Sequence, residues 1–173
     1  MNETDLILRQ ITIERLHASE LIAACRALDP SAPRASEFIQ ACLGYLALIE
    51  QRWRTRVRGH AERLQAMGDR LGGRGEPRQA ALTRALAELR RLDEPPLTTG
   101  RTRQDTNSEI KSYTDFLMSY VTSIGDLDTL VAPLYTVADW RAVAALDADA
   151  VLEERRRYAA LSAEPFLQAQ ASA

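Results

Sequence analysis

Lysine is nearly missing from this chain: Lys111 is the lone lysine, so arginine carries almost all of the 22 basic charges. That bias reads as coding preference rather than as a binding feature. Cysteine and histidine are equally scarce, with two of each. Two cysteines cannot build a disulfide framework, so a reducing cytoplasm is the expected location. Two histidines leave little material for a nucleophile–base–acid set, and neither lies near a distinctive serine or cysteine, so catalysis is not the expected role. No apolar run approaches the ~20 residues that span a bilayer, and MNETDLILRQ lacks the basic start of a signal peptide, so no membrane contact is expected. A net charge of −2 is too balanced to advertise a nucleic-acid or anionic-membrane partner.

What the chain does have is helical periodicity. Its 173 residues, 46% hydrophobic and 27% charged, suit a single globular domain. From Ser36 to Leu71 the positions Ile39, Cys42, Leu46, Ile49, Trp53, Val57, His60, Leu64, Met67 and Leu71 recur at steps of three and four. Such a helix reaches roughly 54 Å unless Gly44 or Gly59 bends it, and other helices must cover its stripe. A first helix, capped by Thr4 or Asp5, carries Ile7, Ile11, Ala18, Leu21, Cys25 and Leu28, with Glu14 in the same register. It should end before Asp29-Pro30 and lie antiparallel to the long helix, which puts Cys25 and Cys42 level, buried and reduced.

Gly72-Gly73 and Gly75 stop the long helix, and Glu76-Pro77 starts a third with Leu82, Leu86, Leu89 and Leu92 on its buried side. Pro95-Pro96 ends it, and Leu97–Asp105 reads as a surface loop. Asn107 or Ser108 caps a fourth helix with the stripe Ile110, Tyr113, Leu117, Tyr120, Ile124, closed by Gly125. Asp126 then caps a turn carrying Leu127, Leu130 and Leu134. Thr136 and Asp139 form a capping-box variant, and Asp147 or Asp149 opens a last helix with Val151, Leu152, Tyr158 and Leu161. The expected fold is all-α: an up-down-up-down four-helix bundle with a short helical C-terminal appendage, one domain over 1–162 and a flexible tail over 163–173.

Few groups suggest chemistry. Glu14 and His17 form a Glu-x-x-His pair on one helix face, level with Glu50 on the next helix. Those three could take iron or another divalent metal, although a full carboxylate-bridged di-iron site needs more ligands than any helix here supplies. The competing reading is a solvated or partly paired charge face. His60 stands about 18 Å from His17 along the bundle and reads as a hydrogen-bonded core histidine, with Tyr113 and Tyr120 as its natural partners. Trp53, His60, Tyr113 and Tyr120 are the candidates to line a small apolar pocket. Arg52, Arg54, Arg56 and Arg58 fan round the long helix, and a solvated surface accounts for them as it does for Arg155-Arg156-Arg157.

Tyr45-Leu46 followed by Arg52-Trp53 resembles the second-helix run of the hemerythrin-like (HHE cation-binding) domains, which leads into His-His-x-x-Glu. Phe116-Leu117, Tyr120, Val131-Ala132-Pro133-Leu134-Tyr135 and Asp139-Trp140 resemble the fourth-helix end of the same family. The resemblance implies the up-down-up-down bundle. At the positions of the family's ligands, however, this chain has Arg54, Thr55, Arg58, Ser123 and Leu127, with Asp128 the nearest carboxylate. The expected function is therefore a non-catalytic binding or regulatory module, a ligand-depleted relative with no cofactor. A protein partner or self-association as a homodimer is expected. The alternatives are a divergent metal-binding protein using Glu14, His17 and Glu50, and a helical secretion or assembly chaperone.

Overall fold

The computed structural model describes residues 2–29, 31–32, 34–71, 77–92, 106–144, 148–165 and 167. Among them the chain is all-helical, with six helices and no strand. They are α1 (Glu3–Ala27), α2 (Ala35–Leu71), α3 (Pro77–Leu92), α4 (Thr106–Val131), α5 (Val137–Ala144) and α6 (Ala148–Ser162). No helix of the described residues is long and apolar enough to cross a membrane.

The 37 residues of α2 run unbroken, about 55 Å of helix, so neither Gly44 nor Gly59 interrupts it. From Ile39 to Leu64 every position of its apolar stripe is buried, and Met67 is half-buried. α1 packs on α2, α2 on α3, α3 on α4 and α4 back on α1. The short α5 lies against both α1 and α2 and inserts Trp140, Val143 and Ala144 into the core, while α6 packs on α2. α5 thus belongs to the packed interior, whereas α6 lies on the outside of α2 and buries Glu154 and Leu161. Leu167, inside the segment expected to be a tail, is buried in the same core.

Cys25 and Cys42 are both buried and free, with their thiols hydrogen-bonded to each other. That contact and burial push the Cys42 thiol up, away from the reactive thiolate. The antiparallel α1–α2 register is therefore the expected one.

Five local expectations need correction. Asn107 and Ser108 lie inside α4, which opens at Thr106, instead of capping it. Asn2, not Thr4 or Asp5, caps α1: its side chain accepts from Asp5 N at 2.8 Å, and the Asp5 carboxylate takes Asn2 N at 3.1 Å. α2 begins one residue before Ser36, after Arg34 in a left-handed conformation with φ 66°. α4 does not close at Gly125 but runs on to Val131, burying Leu127, Asp128 and Val131. Gly125 is instead a gap, because a Cβ there would lie 2.5 Å from Arg15 Nη1. Leu152, expected on the buried side of α6, is 59% exposed, and Glu154 takes the inward position. The Thr136–Asp139 cap is as expected, with Asp139 Oδ2 accepting from Thr136 N at 2.9 Å. The glycines 72, 73 and 75, Glu76, Pro30, Pro95-Pro96, the Leu97–Asp105 loop and Asp147 lie outside the described residues.

A Cβ at Gly44 would meet nothing within 4 Å. Gly44→Ala should therefore stabilise α2 by about 0.5–1 kcal/mol through helix propensity alone. The check is the urea midpoint, and a lower midpoint would contradict an uninterrupted, uncrowded helix at this point.

Candidate functional site

Glu14 sits on the buried stripe of α1, fully shielded from solvent. A bare carboxylate there would carry a large desolvation penalty, so it needs charged partners. α2 supplies them. Trp53 Nε1 donates to Glu14 Oε1 at 2.9 Å, Arg56 Nη2 donates to the same oxygen at 3.1 Å, and Arg52 Nη2 lies 3.0 Å from Oε2. Arg52 and Arg56 are four residues apart and so share a face, with Trp53 beside them. The expectation that the α2 arginines are solvated holds for Arg58, which is exposed, and fails for Arg56, which is 1% exposed.

His17, one turn after Glu14, faces a different partner. Its Nδ1 donates to Glu154 Oε1 of α6 at 2.8 Å, and Tyr45 Oη of α2 donates to that same oxygen at 2.6 Å. The His17 ring stacks on Tyr158 at 3.5 Å between centroids, and Tyr158 in turn donates to Glu20. Glu50 is engaged elsewhere again: Arg54 Nε and Nη2 reach its Oε1 at 2.8 and 2.7 Å, and Tyr113 Oη donates to Oε2 at 2.8 Å. Glu14, His17 and Glu50 thus each answer to separate partners. Among the described residues no group of three or more His, Cys, Asp or Glu side chains is placed to hold a metal ion.

His60 is buried, as its place in the stripe demands, but its partners are not Tyr113 and Tyr120. Its Nε2 faces Asp128 Oδ1 at 3.3 Å, and Tyr135 Oη donates to Nδ1 at 3.0 Å. Facing a carboxylate makes Nε2 the protonated nitrogen, which leaves Nδ1 free to accept. Trp140 packs edge-on against both rings. Arg15 reaches Asp128 Oδ2 at 3.5 Å past Gly125. Tyr120 stacks on Phe116, leans on Trp53 with centroids 6.3 Å apart, and lies 5.6 Å beneath the Arg54 guanidinium. Of the four proposed pocket residues, Trp53 and Tyr120 meet directly, Tyr113 turns to Glu50, and His60 belongs to the Asp128 cluster. None of them lines the groove of about 270 Å³ between the start of α2 and the end of α6, formed by Arg34, Glu37, Phe38, Ala41, Ala160, Leu161 and Glu164.

Burial governs the phenols. Desolvation pushes Tyr45, Tyr113, Tyr135 and Tyr158 above the ordinary tyrosine value, and carboxylates add to the shift: Glu154 at Tyr45, Glu50 at Tyr113, Asp139 at Tyr135, Glu20 at Tyr158. All four are neutral donors at physiological pH, holding carboxylates or a histidine in place rather than attacking anything. Sequence reasoning missed Glu154, Asp128 and Tyr135 as members of these clusters. The only available signal was Glu14, a carboxylate in apolar register that had to find cations.

Comparison with protein-family models, with curated proteins and with solved structures finds no match for this chain.

Two outcomes follow from this geometry. Glu14→Gln should cost about 3–5 kcal/mol, because it leaves Arg52 and Arg56 buried without their counter-charge. Glu50→Gln, at a pair open to solvent on the Arg54 side, should cost much less, and equal losses in urea denaturation would contradict the clamp. The second concerns alkali. Since the folded tyrosines ionise above the unfolded value of 10.0, their contribution is complete below pH 10 and is lost as pH rises beyond it. In an alkaline titration these four phenolates should form together with the loss of helical circular dichroism. Phenolate absorbance from more than one tyrosine while the helix signal is intact would contradict their burial.

Proposed function

We propose that this protein is a non-catalytic binding or regulatory module on an up-down-up-down four-helix bundle, akin to a hemerythrin-like domain whose ligand positions carry other residues. The neighbour order α1–α2–α3–α4–α1 supports that bundle. One observation carries the functional half: the inward carboxylates and histidines are bound by side chains from other helices. Glu14 is held by Arg52 and Arg56, Glu154 by His17 and Tyr45, and Asp128 by Arg15 and His60. At the positions that resemble second-helix ligands, Arg54 closes on Glu50, while Thr55 and Arg58 are exposed. On the fourth helix Leu127 is fully buried. Groups that would donate to iron are thus cross-links of the bundle, and a metal would have to break those pairs before binding.

The partner in this reading is a protein surface, a second copy of this chain included, met through exposed apolar residues such as Leu16 on α1 and Leu152 on α6. The test is elemental analysis and an ultraviolet–visible spectrum after anaerobic reconstitution with ferrous iron and exposure to air. Protein that retains only traces of iron after desalting agrees with the proposal. Two retained irons per chain with an oxo-bridge absorption band would overturn it and restore Glu14, His17 and Glu50 as ligands.

A further inference from the structure

The chain has two cysteines, and the fold brings them together. Cys25 lies on α1 and Cys42 on α2, 3% and 0% exposed, with their thiols hydrogen-bonded to each other. An independent contact fixes the same register: Trp53 of α2 donates to Glu14 of α1. Cys25 follows Glu14 by as many residues as Cys42 precedes Trp53, about three turns on either helix. Both pairs therefore fall on the faces where α1 and α2 meet. One turn away on each helix stand Leu21, Ile22, Ile39 and Leu46, all buried.

A buried cysteine on its own behaves as a small apolar residue, whereas two in contact can exchange their hydrogens for a covalent bond. These two sulfurs are unequal. The Cys42 S–H donates to Cys25, which holds the Cys25 thiol below the usual value against the pull of burial and pushes Cys42 above it. Cys25 is thus the sulfur that attacks, and Cys42 the one that resolves. The surroundings select the oxidant. A buried apolar pair excludes bulky or charged reagents, while hydrogen peroxide is neutral and close to water in size. Cys25 lies in the last turn of α1, which ends at Ala27, and a helix opens most readily at its ends.

We propose that Cys25 and Cys42 are a redox modification site, oxidised by a small neutral hydroperoxide to a reversible intramolecular disulfide that fastens α1 to α2. The Cys25 thiolate attacks one peroxide oxygen, the O–O bond breaks, and the released hydroxide takes up the proton that Cys25 gave away. Cys25 is now a sulfenic acid, oxidised by two electrons. The Cys42 sulfur displaces its hydroxyl to form the S–S bond, and the hydroxyl leaves as water with the Cys42 proton. Two thiols and one peroxide thus give one disulfide and two waters. A dithiol reductant reverses the reaction by exchange. The cross-link spans the α1–α2 turn, restricts the unfolded chain and so raises the stability of the folded one. It holds whether or not the chain is a binding module, because it uses none of that reading's partner surfaces.

The test adds hydrogen peroxide to the folded full chain after reduction and desalting. Both thiols should be lost to a thiol-counting reagent in urea, with a mass lower by two hydrogens and no added oxygen. A non-reducing digest should contain the Cys25–Cys42 peptide pair, and the urea midpoint should exceed that of the reduced chain. Dithiothreitol should restore both thiols and the lower midpoint. Cys42→Ala leaves no resolving thiol, so Cys25 should form a dimedone adduct. Cys25→Ala should label far more slowly, and equal rates would overturn the assignment of Cys25 as the attacking sulfur. Should a variant not fold, the wild-type readouts decide. Thiols that survive peroxide in the folded protein and oxidise only in urea would overturn the proposal, leaving the pair as core packing. So would cross-links between chains, added oxygen in place of a disulfide, or an oxidised midpoint no higher than the reduced one.

Discussion

Glu14 is the group on which the rest of the structure depends. Apolar packing is non-directional, and a helix with an apolar stripe can slide by a turn on its neighbour at modest cost. A buried carboxylate cannot. Slipping α1 by one turn would carry Glu14 away from Trp53 and Arg56 and leave its charge bare in the core, a penalty of several kcal/mol. The clamp thus selects one register from several that the stripes alone would accept. With α1 and α2 locked, the remaining helices have a fixed two-helix platform to cover.

The same device recurs where those helices land. Asp128 on α4 meets Arg15 of α1 and His60 of α2. Glu154 on α6 meets His17 of α1 and Tyr45 of α2. In both cases an incoming helix brings a carboxylate, and the platform supplies one partner from each of its members. Such contacts explain how α6 docks although Leu152 faces solvent and its inward face is led by a glutamate. α5 works differently, inserting Trp140 against His60 and Tyr135, with Arg141 pairing with Glu3 at the start of α1. Apolar burial supplies most of the driving force, and the polar pairs supply the addresses.

Much of this architecture was legible in the sequence, for physical reasons that also mark where legibility stopped. The α2 stripe could be read because burial and helical period act on the same local stretch of residues. The Cys25–Cys42 contact followed from counting outward from a short loop. The expected end of α4 at Gly125 rests on the low helix propensity of glycine. Here Gly125 is kept by a tertiary need, the passage of Arg15 to Asp128, which no local pattern records. Arg56 reads as a solvent-facing residue in the sequence because arginine is usually exposed. Its burial depends on Glu14, 42 positions away. Glu154 was invisible for the same reason more strongly, since His17 is 137 positions from it. Pairings across the fold are what sequence periodicity cannot carry.

The arginine bias takes on a different meaning at two of its sites. At Arg52 and Arg56 the cation has to enter the core beside an indole and reach a carboxylate on another helix. A guanidinium is planar, more weakly hydrated than an ammonium, and offers several donors in a fixed fork. It can hold Glu14 with one nitrogen and keep further donors beside it, as Arg56 does: Nη2 donates to Glu14, while Nε and Nη1 are buried and make no hydrogen bond within the protein. A lysine there would bring a strongly hydrated point charge whose desolvation costs more and whose three donors all radiate from one nitrogen instead of spanning a planar fork. Coding preference accounts for arginine over the surface, at Arg58 or Arg156, where either cation would do. In the core the choice is dictated by the carboxylate it has to neutralise.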